Sequence, residues 1–348
     1  MTTPLLGKAR RPRYSPFRIP LKRRIMAELI DIEMEPERAL SEATRILASG
    51  EPIAIPTETV YGLAADATNP LAISRIYEVK GRPRFNPLIA HMSSLDMAEL
   101  HAEFDPMSRA LAQAFWPGPL TLVLPLKQES SIHELCTAGL PTIGIRVPEG
   151  FAGLLIAAFG KPLAAPSANT SGRISPTSAQ HVAADLGDKI ALILDGGAAG
   201  VGVESTIIKV EGYTVRLLRP GGLDVGDIEA LLGINVERSD HAEAIEAPGM
   251  LASHYAPNAG VRLNVDQVHA GDVFVNFGNQ EIAGADRAAA KFDLSPNGDL
   301  REAAANLFAV MKKADALHAR SIAFAPVPMD NLGEAINDRL MRAAAPRE

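Results

Sequence analysis

"EPIAIPTETVYGLAADATNPLAISRIYEVKGRPRFNPLIAHM", residues 51–92, decides the fold. It opens as a strand that runs into a Thr-rich turn, "PTET", and "NPLAISRIYEVKG" follows with helical spacing. Pro83 disfavours α-helix at Arg82, so "KGRPRFNP" is expected to leave the helix and run extended into the short strand "NPLIAHM". The segment therefore couples strand, helix and strand. It also places Lys80, Arg82 and Arg84 at alternate positions, where extended backbone would turn them to one side.

The alternation continues on both sides. "EPERALSEATRILAS" precedes it as a helix ending at Gly50. Downstream, "SRALAQAFWPG" is a helix and "LTLVLPL" a buried strand; "TIGIRVP", "PLAAPSAN" and "IALILDGG" are strands separated by the helices "GFAGLLIAAFG" and "SAQHVAADLG". "STIIKV" and "TVRLLRPGG" read as a strand pair and "GDIEALLG" as a closing helix, giving an α/β domain with a mixed sheet over residues 26–236. Residues 237–258, polar and punctuated by Pro and Gly, read as a linker. Residues 259–348 form a second, small α/β unit, with "GDVFVNFG" and "SIAFAPV" as strands and "LREAAANLFAVMKKADALH" and "GEAINDRLMRAA" as helices.

Two folded units suit a chain of 348 residues. No apolar run reaches the roughly 18 residues that a membrane-crossing helix requires. The lone Cys136 excludes a disulfide framework within the chain and is expected to be a packing residue, so a cytoplasmic protein is expected. Net charge is −7, yet residues 1–25 carry eight basic residues and no acid, leaving 26 basic against 41 acidic residues elsewhere. The arm is expected to be disordered. The acidic body argues against broad electrostatic capture of nucleic acid.

Several clusters have the chemistry of a binding site. Lys80, Arg82 and Arg84 either converge on a polyanion such as a triphosphate or form a solvated basic loop. "APSANTSGRISPT", residues 165–177, places small hydroxyls and amides beyond a strand end, where open α/β sheets bind ligands. "GGAAGVGVESTIIKV" lacks GxxxxGK[ST] and leads into a strand, so its glycines serve close approach and not a phosphate loop. Arg146 alternates with apolar neighbours and needs an anion, either an Asp or Glu of the chain or a ligand carboxylate. His91 and His254 belong to no His/Cys cluster with zinc spacing.

In this order "PTETVYGL", "KGRP-x-x-NPLI-x-H", "WPGPLTLVL", "APSAN-x-SG", "STI" and "LRPG" closely resemble the YrdC-like threonylcarbamoyl-AMP synthases, and "APGMLASHYAP" resembles the linker of their two-domain members. The resemblance implies an open twisted sheet with a concave active-site surface and a small Rossmann-like C-terminal domain. It implies condensation of L-threonine, bicarbonate and ATP, with Mg2+, into threonylcarbamoyl-adenylate and pyrophosphate. The product would pass to a tRNA threonylcarbamoyl-transferase complex acting on adenosine 37 of ANN-decoding tRNAs. By resemblance, Lys80, Arg82, Asn86, Thr142, Asn169, Thr177, Arg219 and Tyr255 would contact ATP, with Lys80 and Arg82 catalytic. Thr59, His91, Arg146, Ser167 and Ser205 would hold L-threonine, Arg146 taking its carboxylate. Arg84 lies outside the shared motif. The alternative is an RNA-binding module without enzymatic activity, using the basic arm and a concave basic sheet.

Overall fold

Proline and glycine punctuation sets the element boundaries throughout the structure, a computed structural model that describes residues 26–238, 246–248 and 254–346. The basic arm and parts of the expected linker lie outside the described residues. The chain begins with β1 (Glu28–Asp31), α1 (Pro36–Ala48), β2 (Ile53–Ile55), β3 (Gly62–Asp66), α2 (Pro70–Lys80) and β4 (Ile89–His91). It continues with α3 (Leu95–His101), α4 (Pro106–Phe115), β5 (Leu120–Pro125), α5 (Glu134–Thr137), β6 (Thr142–Arg146), α6 (Phe151–Phe159) and β7 (Leu163–Ala164). Then come α7 (Ala179–Leu186), β8 (Leu192–Asp195), β9 (Thr206–Glu211), β10 (Thr214–Arg219), α8 (Val225–Leu232) and β11 (Glu237–Arg238). The C-terminal part holds β12 (Gly260–Arg262), β13 (Val273–Asn276), β14 (Ala290–Asp293), α9 (Leu300–Asp315), β15 (Ser321–Phe324) and α10 (Leu332–Ala344).

The first eleven strands form one mixed sheet, in the order β1-β8-β2-β3-β7-β4-β6-β5-β9-β10-β11. Its central pairings place the functional side chains. Parallel β4 and β6 align His91 with Arg146, while antiparallel β7 crosses from β3 to β4 and leaves Ser167 bridged to Gly62. The C-terminal sheet is all parallel, in the order β12-β15-β13-β14, as the Rossmann-like expectation requires.

Helix α2 explains how "KGR" is presented. Asn69 caps its first turn, Pro70 occupies an early position that needs no N–H, and Gly81 (φ 60°) ends it in the left-handed conformation. Lys80 thus falls in the buried stripe of Ala72, Ile73, Ile76 and Tyr77, and the chain reverses before Arg82.

Some elements differ from the sequence reading. The strand expected at "PLAAPSAN" shortens to Leu163–Ala164, because Pro166 has no N–H with which to extend a ladder. The expected linker begins with β11, which pairs in parallel with β10 as an edge strand. Strands β12 and β14 are edges with partly exposed, polar sequences, so the alternation that marks a half-buried strand is missing from them.

The two sheets are joined by tight packing. Gly202 (φ 79°) lies so close to α9 that a Cβ there would meet Ala305 Cα at 2.3 Å and Ala304 O at 2.4 Å. This bears out a backbone-approach role for the glycine run. Gly202→Ala is therefore expected to lower unfolding stability by about 2–4 kcal/mol, from overpacking plus left-handed strain, as read from denaturant melts.

Candidate active site

A small cavity of about 60 Å³ sits at the strand ends described above, lined by Thr59, Arg82, His91, Arg146, Ser167 and Ser205, with Glu204, Arg219, His254 and Tyr255 closing it. Eight of the thirteen residues that resemblance assigned to ATP or threonine are thus brought together: Arg82, Arg219, Tyr255, Thr59, His91, Arg146, Ser167 and Ser205. Lys80 and Asn169 lie just behind the wall, where the Lys80 ammonium donates to Ser167 O (2.5 Å) and Asn169 O (2.6 Å). Asn86 supplies the carbonyl that Arg82 Nε contacts at 3.2 Å, and Thr177 is buried against His181. Thr142 stands apart at the far end of β6, four residues from Arg146, or about 13 Å along a strand.

The cations are the outstanding feature. Lys80, Arg82 and Arg219 are 2%, 8% and 4% exposed, yet among the described residues none forms an ion pair. Arg82 donates to Asn86 O and Pro87 O, and Arg219 donates to Ser205 O (2.8 Å) and Oγ (3.1 Å). Burial is the leading influence on all three: it pulls Lys80 well below the ordinary lysine range, Arg82 down to about 10, and Arg219 down as well. Their direct contacts are carbonyl and hydroxyl dipoles, and Glu204 acts on Lys80 and Arg219 only from beyond ion-pair distance, so the site is suited to an anion.

One expectation needs correction, and one alternative left open by the sequence is answered in part. "KGRPRFNP" does not continue extended, because Asn86 N bonds back to Pro83 O at 3.2 Å in a turn over residues 84–86. Arg84 is consequently exposed and does not converge with Lys80 and Arg82. Arg146 has an anion of its own chain, Glu58, whose Oε1 lies 2.5 Å from Nη2 in a contact too poorly aligned to be a hydrogen bond. Arg146 also donates to Thr59 Oγ1 (2.9 Å) and Gly118 O (3.1 Å). Glu58 was legible only as a member of "PTET", with nothing in its spacing to tie it to β6.

Oriented acceptors and donors surround the cations. Ser205 Oγ lies 2.8 Å from Thr121 Oγ1, and the Oδ1 atoms of Asn86 and Asn169 are buried without partners. Both ring systems at the site are neutral: burial, reinforced by Arg146, pushes His91 down to about 3, and burial pushes His254 to about 3. Glu204 is opposed by burial but held down at about 2 by Arg339, Arg219 and Ser175. Cys136 is fully buried and pushed up to about 12 by desolvation, so its thiol is inert packing as expected.

These shifts set the acid limit of the fold. Unfolded histidine takes up a proton near pH 6.5, whereas folded His91 and His254 resist until about pH 3, so the unfolded state binds more protons in between. Stability should therefore fall as pH drops from 6.5 toward 3, by up to roughly 1.4 kcal/mol per pH unit for each histidine. Below pH 4.5 Glu204 adds a slope of the same sign, its stabilisation being lost as pH falls through about 2. Chemical denaturation at pH 7.5, 6 and 5 measures the slope, and a flat profile would contradict buried neutral rings.

The linker supplies part of the wall. Tyr255 holds a left-handed backbone (φ 61°), is buried, stacks on Phe308 of α9 at 5.4 Å and meets the His254 ring at 4.2 Å. A strained non-glycine residue at a cavity wall is a mark of function. Sequence motifs gave Tyr255, but they did not single out Glu204 or Arg339, which come together only through the contact between the two sheets.

A larger cavity of about 750 Å³ lies elsewhere, between the start of α8 and the starts of α9 and α10. Asp224, Asp227 and Asp299 line it with Arg301 as the one cation, so the smaller, cationic cavity is the better match to a polyanion. Among the described residues no group of three or more His, Cys, Asp or Glu side chains is arranged to hold a metal ion. Glu58 and Glu204, the carboxylates placed at the cavity among the described residues, are each paired with an arginine.

The Sua5/YciO/YrdC family model, described as telomere recombination, matches residues 45–221, and a threonylcarbamoyl-AMP synthase C-terminal domain model matches residues 223–345. The chain belongs to the Sua5/YciO/YrdC family. It is 40% identical over 324 residues to the threonylcarbamoyl-AMP synthase of Bacillus subtilis, covering 88% of this chain and 93% of that one. It is 36% identical to the Schizosaccharomyces pombe enzyme of the same name, with 89% of both chains covered. Pyrococcus abyssi Sua5, solved in complex with L-threonine, superposes with a TM-score of 0.82 at 37% identity, covering 91% of this chain and 98% of that one. E. coli YciO (TM-score 0.51, 23% identity, 56% of this chain, 96% of that one) shares the fold of the larger domain. The two-domain Sua5 arrangement thus extends over nearly the whole chain.

Proposed function

We propose that this chain joins L-threonine, bicarbonate and ATP into L-threonylcarbamoyl-adenylate with release of pyrophosphate. The observation that carries the reading is the group of three buried cations, Lys80, Arg82 and Arg219, that meet no carboxylate among the described residues. Family membership and the synthase relatives support the same chemistry. They also weigh against an RNA-binding module, as does the acidic body of the chain.

In the proposed reaction the threonine amine, once deprotonated, forms a C–N bond to bicarbonate and expels hydroxide as water, giving a carbamate. A carbamate oxygen then forms a bond to the α-phosphorus of ATP, and the bond to pyrophosphate breaks. Neither step needs a covalent link to the protein. Arg82 would meet the charge growing on the leaving pyrophosphate, and Lys80 would hold the Ser167–Asn169 wall and add its field. Arg146, Thr59 and Ser205 would fix the amino acid, and neutral His91 offers a hydrogen bond without adding charge. Mg2+ would arrive with ATP as part of the nucleotide substrate.

A cavity of about 60 Å³ holds only a water or two, so on this reading the cavity wall would open to admit ATP and close again. Such a lid would shield a hydrolysable adenylate from water. The reading further places the protein in the cytoplasm, as donor to a tRNA threonylcarbamoyl-transferase complex; no helix of the described residues is long and apolar enough to cross a membrane.

The test is pyrophosphate release by the purified chain with ATP, Mg2+ and bicarbonate, supplied with L-threonine, L-serine or no amino acid. Release that requires both threonine and bicarbonate is expected. Threonine-independent release, or none accompanied by salt-sensitive RNA binding, would overturn the reading.

A further inference from the structure

Helix α10 belongs to the smaller unit, yet its central arginine is buried beside the active site. Arg339 is completely buried. Its Nε donates to Glu204 Oε2 (3.0 Å), and its Nη1 donates to Pro220 O (2.7 Å) and to Asp338 Oδ2 (2.7 Å). The guanidinium carbon stands 5.4 Å from the Tyr255 ring centre. Three of these contacts reach the cavity: Glu204 and Tyr255 line it, and Pro220 follows the lining residue Arg219, while Asp338 lies beside Arg339 on α10.

The neighbouring bonds make these contacts stiff. Glu204 Oε1 accepts from Ser175 Oγ (2.6 Å), and its carbonyl accepts from Gly222 N (2.9 Å). Residues 220–222 approach residues 204–206 so closely that a Cβ on Gly221 would meet Ser205 C at 2.3 Å. Asp338 also accepts from Arg342 Nε (2.8 Å), and the Arg342 carbonyl accepts from His254 N (3.3 Å). One turn of α10 therefore grips the threonine side of the cavity, the nucleotide side and the linker aromatic together.

We infer that Arg339 is a positioning residue for the synthase reaction, through which the C-terminal domain sets Ser205, Arg219 and Tyr255 relative to one another. The inference rests on the function proposed above. It assigns the C-terminal domain a definite part: the active site is complete only when α10 is docked. A planar guanidinium is suited to the task because its fork bonds several acceptors in fixed directions, which a lysine ammonium on a flexible stem does not. The arrangement also explains a buried Arg–Glu pair whose removal from water is otherwise costly.

Arg339→Lys and Arg339→Met test the assignment at a temperature well below each variant's unfolding midpoint. In Arg339→Met the KM values for threonine and for ATP should rise and turnover should fall, with kcat/KM lower by about 100-fold, the effect of displacing reacting groups by about 1 Å. Arg339→Lys, which keeps the charge and loses the fork, should fall between that variant and the wild type. A purely structural role predicts something else: unchanged KM values, with activity reduced only in proportion to folded protein, and that result would overturn the inference. Amide hydrogen exchange supplies a readout independent of catalysis. Arg339→Met should speed exchange at residues 203–206, 218–222 and 254–256 together, and unchanged protection there would equally overturn it. If the wild-type chain released no pyrophosphate with threonine, the synthase reading would fail, whereas the exchange experiment would still decide whether α10 fixes these three segments.

Discussion

Replacing Arg82 by alanine is expected to reduce threonine-dependent pyrophosphate release by about 100- to 1000-fold, the range found when one preorganised donor to a developing charge is removed. The fold should survive. Arg82 donates only to Asn86 O and Pro87 O, and burial already drags its pKa down to about 10, so its charge is poorly solvated in the ligand-free protein. Losing two hydrogen bonds costs about 1–3 kcal/mol, and relieving an unpaired buried cation offsets part of that. Arg82→Met, which fills more of the vacated volume, should be at least as stable as Arg82→Ala and equally inactive. Circular-dichroism melts beside steady-state assays separate the two effects. Near-normal turnover in either variant would remove Arg82 from the chemistry.

Local signals made the larger domain readable. Helix α2 was visible because its apolar spacing and its Asn–Pro start and Gly stop agree, and the buried strands β5, β6 and β8 were visible as apolar runs. The C-terminal edge strands β12 and β14 were not, because they are short, partly exposed and polar, and so lack the alternation that marks a half-buried strand.

The candidate site divides in the same way. Lys80 and Arg82 share a seven-residue segment with Asn86, and their type and spacing suggested an anion site directly. The extended path expected beyond Pro83 failed because a turn forms at Asn86, sending Arg84 into solvent. Glu58 and Glu204 were illegible for another reason. Each is defined by an arginine far away in the chain, 88 residues from Glu58 to Arg146 and 135 from Glu204 to Arg339, and no local pattern encodes such a pairing.

The Glu58–Arg146 pair allows the structural and substrate roles of one arginine to be separated. Both side chains are nearly buried, at 12% and 5% exposure, so Arg146→Met alone would strand a carboxylate in a site with little water. Breaking such a pair from one side typically costs about 3–5 kcal/mol, and the unfolding free energy should fall by that amount. Adding Glu58→Gln should restore most of the loss, since both charges are then gone and a neutral amide needs only a hydrogen bond. Threonine-dependent release should not recover with it. A threonine carboxylate approaching Arg146 would have to share or displace Glu58, and neither variant retains the cation that would draw it in. Urea melts and assays on both variants decide the matter. Recovery of stability without activity is the expected pair of results, because Thr59 Oγ1 and Gly118 O lose a donor in both variants while only the stranded charge is relieved. Recovery of activity along with stability would mean that Arg146 serves the fold alone, and that the substrate carboxylate is held by another of the buried cations at this site.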